Sequence, residues 1–308
     1  MNNEFLLIAN PISGKSKSLD SLDKLRKYLN KNNIQYNFFI SRKPKSIIDN
    51  IKNYDFSKIT KIICLGGDGT FNEILSGLYK SKVDLSRVTI VPTNNGSGNG
   101  LYSSLSYIQF NEFDLIPRSE ESNELNLIEY EIDNNKNLSF LGISIGLITD
   151  VDLSTEWLRF LGDKRYDLGG LYYLLNTYKY KLKVEYTKLN GAKVELEDDF
   201  LQVFLFNVSH ISTNMLLNPN QKIDSKTITL CLMPSTINKK DLLEIFLNIS
   251  SNNSPYMKND KIIFDDVVDF RITPLNSDSE NSLTIDGEKV LFNYPLAGHI
   301  SDKKIKIK

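Results

Sequence analysis

A glycine-rich stretch in the first quarter of the chain has the residue types of a phosphate-binding loop. Residues 65–73 read Leu-Gly-Gly-Asp-Gly-Thr-Phe-Asn-Glu and lie between an apolar run and a helix-like segment. Glycine lets backbone N–H groups close around phosphate oxygens, and the start of the following helix adds positive potential. Asp68 would repel a phosphate unless it binds Mg²⁺ or takes a proton from an attacking hydroxyl. The alternative is a tight strand-to-helix turn in which Asp68 is a cap.

A second glycine-rich stretch follows another apolar run. Residues 94–100 read Asn-Asn-Gly-Ser-Gly-Asn-Gly and come after a strand-like segment that ends at Pro92. The third glycine comes one residue too early for the Gly-x-Gly-x-x-Gly pattern, which speaks against a dinucleotide-binding fold. Alone, this stretch would be interpreted as a flexible loop. Beside the stretch around Asp68, it predicts a second loop that faces phosphate.

Three further segments could take part in the same chemistry. Residues 9–16, Ala-Asn-Pro-Ile-Ser-Gly-Lys-Ser, fit a relaxed form of the phosphate loop of ordinary nucleotide hydrolases. Residues 286–288, Asp-Gly-Glu, lie between strand-like runs, where a hairpin turn is the simplest interpretation. Asp152, Glu156 and Arg159 are three or four positions apart, hence on one face of a predicted helix. A solvated helix face would show the same charge pattern.

The elements around the first loops predict a parallel sheet. Residues 1–123 alternate strand-like and helix-like runs, which favours a Rossmann-like α/β nucleotide-binding domain. The predicted strands are residues 5–8, 35–40, 59–65 and 88–91. The predicted helices are residues 18–32, 46–53 and 71–79. Ligands bind such sheets at the carboxyl ends of the strands, where the three glycine-containing loops fall.

From residue 124 onward the pattern changes to successive strands. Alternating apolar and polar residues predict a mainly antiparallel β-sandwich domain over residues 124–308. The predicted strands are residues 126–132, 138–145, 182–186, 200–206, 227–232, 270–273, 283–285 and 304–308. Only residues 153–180 and 239–249 are helix-like here, and the polar stretch 118–124 is the predicted connection between the domains.

Composition narrows the class of protein. A chain of 308 residues is long enough for two domains, and its formal net charge of −1 provides no global basic field for nucleic acid. Cys64 and Cys231 lie in apolar runs, so we expect buried, reduced thiols and little basis for a zinc site. No signal peptide or membrane-spanning run is recognisable, so we expect a cytoplasmic protein whose contact with membranes is peripheral and transient.

Taken in order, the motifs resemble those of the diacylglycerol kinase-like lipid kinases. The matching residues are Asn10-Pro11 with Gly14-Lys15, Gly67-Asp68-Gly69-Thr70 with Asn72-Glu73, Gly96-Ser97-Gly98-Asn99, and Asp286-Gly287-Glu288. Residues 146–169 are more particularly similar to sphingosine kinases. On this resemblance the loop at residues 9–16 is the family's first nucleotide loop. Pro11 agrees, because it removes a backbone donor that an ordinary phosphate loop would use.

The resemblance implies a lipid kinase that uses ATP and Mg²⁺ to phosphorylate the primary hydroxyl of a sphingoid base, in a cleft between the domains. Asp68 would be the general base, and Asp152 and Glu156 would bind the substrate, Asp152 through its amine. The residues implied to bind nucleotide are Asn10, Gly14, Lys15, Ser41, Gly67, Gly69, Thr70, Glu73, Gly96, Ser97, Gly98, Asn99, Arg159, Arg165, Asp286, Gly287 and Glu288. Ser41 rests on its spacing to Asp68 alone, and the metal ligands and the oligomeric state are not implied.

Other functions stay open on the sequence alone. A diacylglycerol kinase or another lipid kinase of the family would keep the loops but leave the Asp152 carboxylate without an amine partner. An NAD kinase-like enzyme would share a Gly-Gly-Asp-Gly loop, and a non-catalytic lipid- or nucleotide-binding protein would have no use for the acid at Asp68. Between Pro92 and Gly96 the chain is two residues longer than in sphingosine kinases. The resemblance therefore implies no contacts for residues 93–95.

Overall fold

The computed structural model describes residues 4–105, 122–154, 178–248, 254–275 and 282–308. It divides into two compact units: unit 1 consists of Met1–Leu127 and Asp302–Lys308, and unit 2 consists of Ile128–Ser301. None of the helices within the described residues is long and apolar enough to cross a membrane.

Unit 1 is built on a parallel sheet, as the sequence predicts. Its strands are β1 (Glu4–Ala9), β2 (Tyr36–Ile40), β3 (Ile59–Leu65) and β4 (Thr89–Pro92), in the spatial order β2-β1-β3-β4. All pair in parallel, with Leu7 opposite both Phe38 and Ile63, and Ile63 opposite Val91. β1 and β3 are almost continuously apolar because helices cover central parallel strands.

The helices of unit 1 follow the predicted order. They are α1 (Lys17–Lys31), α2 (Ser46–Lys52), α3 (Asp68–Ser81) and α4 (Gly100–Ser104). α1 buries Leu22, Leu25 and Leu29 in one core with residues of β1 and β3. α3 begins three residues earlier than the prediction, because the amides of Thr70 and Phe71 already donate to the Gly67 carbonyl. Asp68 is consequently the first residue of a helix.

Unit 2 is rich in antiparallel strands, which confirms the predicted fold class. Its strands are β5 (Asn123–Ile132, which begins in unit 1), β6 (Asn135–Ser139), β7 (Gly142–Gly146), β8 (Tyr180–Lys188), β9 (Lys193–Phe206), β10 (His210–Ser212), β11 (Met215–Leu216), β12 (Ile228–Pro234), β13 (Ile263–Pro274), β14 (Ser282–Ile285), β15 (Glu288–Leu291) and β16 (Leu296–Ile307). The order β15-β14-β7-β9-β12-β13-β16 is antiparallel throughout, and β8 pairs with both β9 and β13. The described helices are α5 (Leu147–Ser154), α6 (Lys239–Asn248) and a 3-10 turn at Pro255–Lys258.

One strand prediction and one domain assignment differ from the structure. Residues 138–145 were predicted as one strand, but they end β6 at Ser139 and begin β7 at Gly142. The strand breaks because the amides of residues 140–142 donate to the Asp286 carboxylate. Residues 304–308 were assigned to the second domain, whereas Asp302–Lys308 belong to unit 1, where Lys306 and Ile307 pair in parallel with β4.

Candidate functional site

Three loops meet at the carboxyl ends of the strands of unit 1. Loop A (residues 10–16) follows β1, loop B (residues 66–70) follows β3, and loop C (residues 93–99) follows β4. A Cβ atom added to Gly96 would lie 2.3 Å from the Gly67 Cα, and one added to Gly14 would lie 2.5 Å from the Asn95 carbonyl oxygen. The glycines are therefore required because the backbones of the three loops touch each other.

Side chains tie loop A to loop B. The Asn10 amide donates to Thr70 Oγ1 at 3.3 Å, and Ser13 Oγ lies 3.5 Å from the same oxygen. Asn10 Oδ1 also accepts a hydrogen bond from the Ile12 amide at 3.2 Å. The structure thus brings together two of the predicted nucleotide-binding residues, Asn10 and Thr70. The side chain of Lys15 lies outside the described part of the structure.

Asp68 ties loop B to the helix that follows loop C. Its Oδ2 accepts a hydrogen bond from the Gly100 amide at 2.8 Å, and its Oδ1 accepts one from the Leu101 amide at 3.2 Å. The carboxylate therefore caps α4, where the helix dipole favours a negative charge. A carboxylate has about four lone-pair sites, so two amides do not exhaust its capacity to accept a proton. The half-buried Asp68 can consequently serve as a cap and as a base.

Asn99 closes loop C on itself. Its Oδ1 accepts a hydrogen bond from the Gly96 amide at 2.8 Å, and its side-chain amide donates to Asn94 Oδ1 at 2.8 Å and to the Gly96 carbonyl at 2.9 Å. Asn99 has a φ of 52°, a left-handed conformation that asparagine tolerates better than most residues. The closed loop leaves Ser97 exposed at its tip and Gly98 half-buried beside the Asp68 carboxylate.

Buried hydrogen bonds that the sequence did not predict connect loop C to β3 and to α1. Thr93 Oγ1 donates to the Cys64 carbonyl at 2.7 Å, and the side-chain amide of Asn95 donates to Thr93 Oγ1 at 2.7 Å. Ser21 of α1 donates to Asn95 Oδ1 at 3.0 Å. The longer segment between Pro92 and Gly96 thus turns two of its side chains inward. A polar Ser21 beside the apolar stripe of α1 was the one available sequence signal.

Two other predicted nucleotide-binding residues lie together at the start of α2. Glu73 Oε2 accepts a hydrogen bond from the Ile47 amide at 3.2 Å. Ser41 Oγ lies 3.1 Å from Ser46 Oγ, and the Ser41 amide donates to the Ala9 carbonyl at 2.8 Å. Both side chains therefore help to place the first turn of α2. Their contact with nucleotide stays a prediction.

The segment that contains the three loops matches a known protein family. Residues 4–126, which contain loops A, B and C, match the family described as Diacylglycerol kinase catalytic domain.

This segment, residues 4–126, is therefore similar to diacylglycerol kinase catalytic domains.

Curated relatives of the chain include proteins named as sphingoid long chain base kinases, and the chain spans less than two thirds of the length of the first two. It is 27% identical over 218 residues to sphingoid long chain base kinase 5 of Saccharomyces cerevisiae, which covers 65% of this chain and 31% of the yeast protein. It is 23% identical over 283 residues to sphingoid long chain base kinase 4 of Schizosaccharomyces pombe, spanning 60% of that protein. With sphingosine kinase 1 of Rattus norvegicus the identity is 21%, over 92% of this chain and 85% of the relative.

Solved structures share the fold of the chain. A crystal structure of a diacylglycerol kinase from Bacillus anthracis str. Sterne has a TM-score of 0.66 at 16% identity, covering 99% of this chain and 96% of the other. A second structure from the same organism has a TM-score of 0.75 at 19% identity, covering 99% and 94%. These likenesses confirm an α/β first domain and a β-rich second one.

In unit 2, Asp286 and Gly287 form the hairpin turn between β14 and β15, and Glu288 is the first residue of β15. Asp286 is only 1% exposed. Its Oδ1 accepts hydrogen bonds from Ser139 Oγ at 2.6 Å, the Leu141 amide at 2.9 Å and the Gly142 amide at 3.1 Å, and its Oδ2 accepts one from the Phe140 amide at 3.3 Å. The Asp286 carboxylate therefore anchors the turn from inside unit 2. Gly287 and Glu288 are exposed at the tip.

α5 carries the predicted amine-binding acid and is firmly attached to its own unit. The Ile148 amide donates to Gln202 Oε1 at 2.8 Å, and Thr149 Oγ1 donates to the Ser144 carbonyl at 2.8 Å. Asp152 lies on this helix, although its side chain is outside the described part. Glu156, Arg159 and Arg165 lie wholly outside the described residues.

Asp150 of α5, an acid for which the sequence predicts no role, has a raised pKa. The Tyr180 hydroxyl donates to Asp150 Oδ1 at 2.6 Å. Burial raises the pKa of Asp150 to about 6, against the opposing effect of this hydrogen bond.

The two cysteines agree with the prediction of buried, reduced thiols. Both are unpaired and buried in strands. Burial raises the pKa of both thiols, and the neighbouring Asp68 raises that of Cys64 further. Among the described residues, no three His, Cys, Asp or Glu side chains gather into a metal site. A Mg²⁺ ion held by one carboxylate and by substrate phosphates would not require such a cluster.

Proposed function

We propose that this protein is an ATP-dependent lipid kinase that phosphorylates the primary hydroxyl of a sphingoid base. One observation carries the proposal: three glycine-containing loops are packed backbone to backbone, and the half-buried carboxylate of Asp68 lies beside Gly98 in one of them. They lie in the segment that matches a diacylglycerol kinase catalytic domain. Pure nucleotide binding gains nothing from an acid at the centre of a phosphate site, whereas phosphoryl transfer to a hydroxyl uses a base there.

The residues of unit 1 would divide the work between holding phosphate and accepting a proton. Backbone N–H groups of loops B and C would hold the ATP phosphates, and Mg²⁺ would neutralise charge on them. Asp68 would accept the proton of the acceptor hydroxyl as its oxygen attacks the γ-phosphate. The hydrogen bonds from Gly100 and Leu101 hold the carboxylate in one orientation, which suits a base that must meet a hydroxyl in line.

A sphingoid base is the acceptor that the charges favour. Its ammonium group would pair with Asp152, and a charge-assisted hydrogen bond contributes about 1.5–3 kcal/mol. Diacylglycerol has no amine and would leave that carboxylate unpaired. We therefore expect a preference of at least about tenfold for the sphingoid base. Relatives named sphingosine kinase or sphingoid long chain base kinase support the same acceptor class.

A competition assay tests the acceptor. The purified full chain is incubated with Mg-ATP and equal amounts of sphingosine, diacylglycerol, ceramide and NAD, and the products are identified by mass. A phosphorylated sphingoid base is the expected product. Phosphorylated diacylglycerol would discard the role of Asp152 and keep that of Asp68. Phosphorylated NAD would reassign the protein to soluble-substrate kinases, and the absence of every product would refute the proposed activity.

A pair of matched substitutions tests the base. Asp68→Asn keeps an oxygen that can accept one of the two amide hydrogen bonds, but it removes the proton acceptor. We expect turnover to fall by roughly 10²–10⁴-fold with ATP binding retained. Asp84→Asn is the control, because Asp84 also caps a helical turn of unit 1, through the Ser86 amide at 3.0 Å. Equal activity of the two variants would show that Asp68 is only a cap.

A further inference from the structure

The outer side of α6 exposes two leucines. Leu242 and Ile245 are buried in unit 2, whereas Leu243 is 44% exposed and Leu247 is 67% exposed. The two exposed leucines are four positions apart, so they are neighbours on the helix surface. Met257, in the adjacent 3-10 turn, is 42% exposed. An apolar stripe on a helix normally faces the core, so a second stripe on the outer side calls for a partner.

Lysines border the exposed stripe on the same face of α6. Lys239 is four positions before Leu243, and Lys240 is three positions before Leu243, so both lie beside the leucines. Both lysines are exposed, as is Lys258 next to Met257. We call Lys239, Lys240, Leu243 and Leu247 the α6 face.

The acids of α6 do not cancel this basic border. Asp241 is half-buried and accepts hydrogen bonds from the side-chain amides of Asn238 at 3.0 Å and Asn259 at 3.3 Å, with Lys261 3.9 Å away. Glu244 is exposed and lies at the edge of the face, next to Lys240. The two leucines therefore occupy the centre of the face, with Lys239 on one side and Lys240 on the other.

We propose that the α6 face is a docking surface for an anionic lipid bilayer. The proposal rests on the proposed function in one respect: a kinase of sphingoid bases must meet its substrate at a membrane. Leucines would enter the boundary between headgroups and acyl chains, while the lysine stems lie along them and their ammonium groups meet lipid phosphates. A protein partner fits less well. Protein interfaces are depleted in lysine and enriched in Tyr, Trp and Arg, and the exposed residues of α6 include none of these three.

Vesicle binding by the full chain tests the surface without any kinase activity. Wild-type protein is sedimented with phosphatidylcholine vesicles that contain or lack about one third phosphatidylserine. We expect binding to the anionic vesicles, and a loss of at least about tenfold in the double variant Leu243→Ser/Leu247→Ser. Lys239→Gln/Lys240→Gln should lose roughly thirtyfold on anionic vesicles and little on neutral ones.

A matched control separates docking from general loss of surface hydrophobicity. Leu189 and Leu291 are also in unit 2 and are 64% and 57% exposed, so Leu189→Ser/Leu291→Ser removes similar apolar area elsewhere. This control should bind vesicles like the wild type, and circular dichroism should show that all variants are folded. Equal losses in the control and in the α6 variants, or no wild-type binding, would overturn the proposal. A wild-type oligomer that the leucine variant dissociates, with vesicle binding unchanged, would assign the face to a second copy of the chain.

A second readout keeps the failure of docking distinct from the failure of the proposed function. Phosphorylation is measured with sphingosine presented either in vesicles or bound to albumin. The α6 leucine variant should lose activity about tenfold in the first format and keep it in the second. Loss in both formats would overturn a docking role. If the wild type phosphorylates no acceptor, the proposed function fails, while the vesicle sedimentation still decides the docking surface.

Discussion

Replacing Thr93 by valine should loosen loop C and destabilise unit 1. Valine has nearly the shape of threonine but lacks the hydroxyl that joins two buried hydrogen bonds. Thr93 Oγ1 donates to the Cys64 carbonyl and accepts from the Asn95 amide, both at 2.7 Å. The substitution leaves that carbonyl and that amide with one partner fewer in the protein interior. At about 1–3 kcal/mol for each of the two deprived groups, we expect the free energy of unfolding to fall by roughly 2–6 kcal/mol.

The same change should affect nucleotide binding, because Asn95 supports the backbone against which Gly14 packs. We expect a higher KM for ATP with a smaller change in kcat. The free energy of unfolding is measured by urea denaturation followed by circular dichroism, and KM by steady-state kinetics. Thr93→Ser is the matched control, since it keeps the hydroxyl and loses one methyl group, worth about 1 kcal/mol or less. Equal losses of stability in the two variants would refute the role given to the hydroxyl.

Three other substitutions give separate tests. Tyr256→Phe should leave stability unchanged or raise it by about 1 kcal/mol in urea denaturation, because the buried hydroxyl has no hydrogen-bond partner among the described residues; a loss above that size would contradict this. Asp286→Ala should lower the free energy of unfolding by about 3–5 kcal/mol, since it leaves the amides of residues 140–142 without their acceptor; an unchanged unfolding midpoint would disprove the anchoring role. The pKa of Asp150 is raised to about 6 from an ordinary value near 4. Between these pH values the native state binds more protons than the unfolded state, so wild-type stability should fall as the pH rises through this window. Asp150→Asn keeps an acceptor for Tyr180 and should remove that slope, gaining about 3 kcal/mol at pH 7.5; denaturation at pH 4.5 and 7.5 checks the sign.

The partners of the candidate site residues could not be predicted from the sequence. Asp68 was interpreted as a base or as a cap of its own turn, but the helix that it caps is α4, 32 positions along the chain. Glu73 was matched to nucleotide, and in the structure it binds the amide of Ile47 in α2. Asp286 meets the amides of residues 140–142 from about 145 positions away. Such hydrogen bonds join residues far apart in the sequence, so they produce no periodic pattern from which either partner could be predicted.

The sequence by itself determined the elements of unit 1 and the position of its loops. Continuous apolar runs mark buried parallel strands, and glycines directly after them mark turns where backbones must come close. It also determined that the chain changes to antiparallel strands after residue 124, because period-2 alternation is a local property. Only the tertiary structure decided that residues 138–145 form two strands and that the chain's last residues return to unit 1 beside β4. Pairing between distant strands and the satisfaction of buried amides depend on what lies nearby in space, which no stretch of sequence contains.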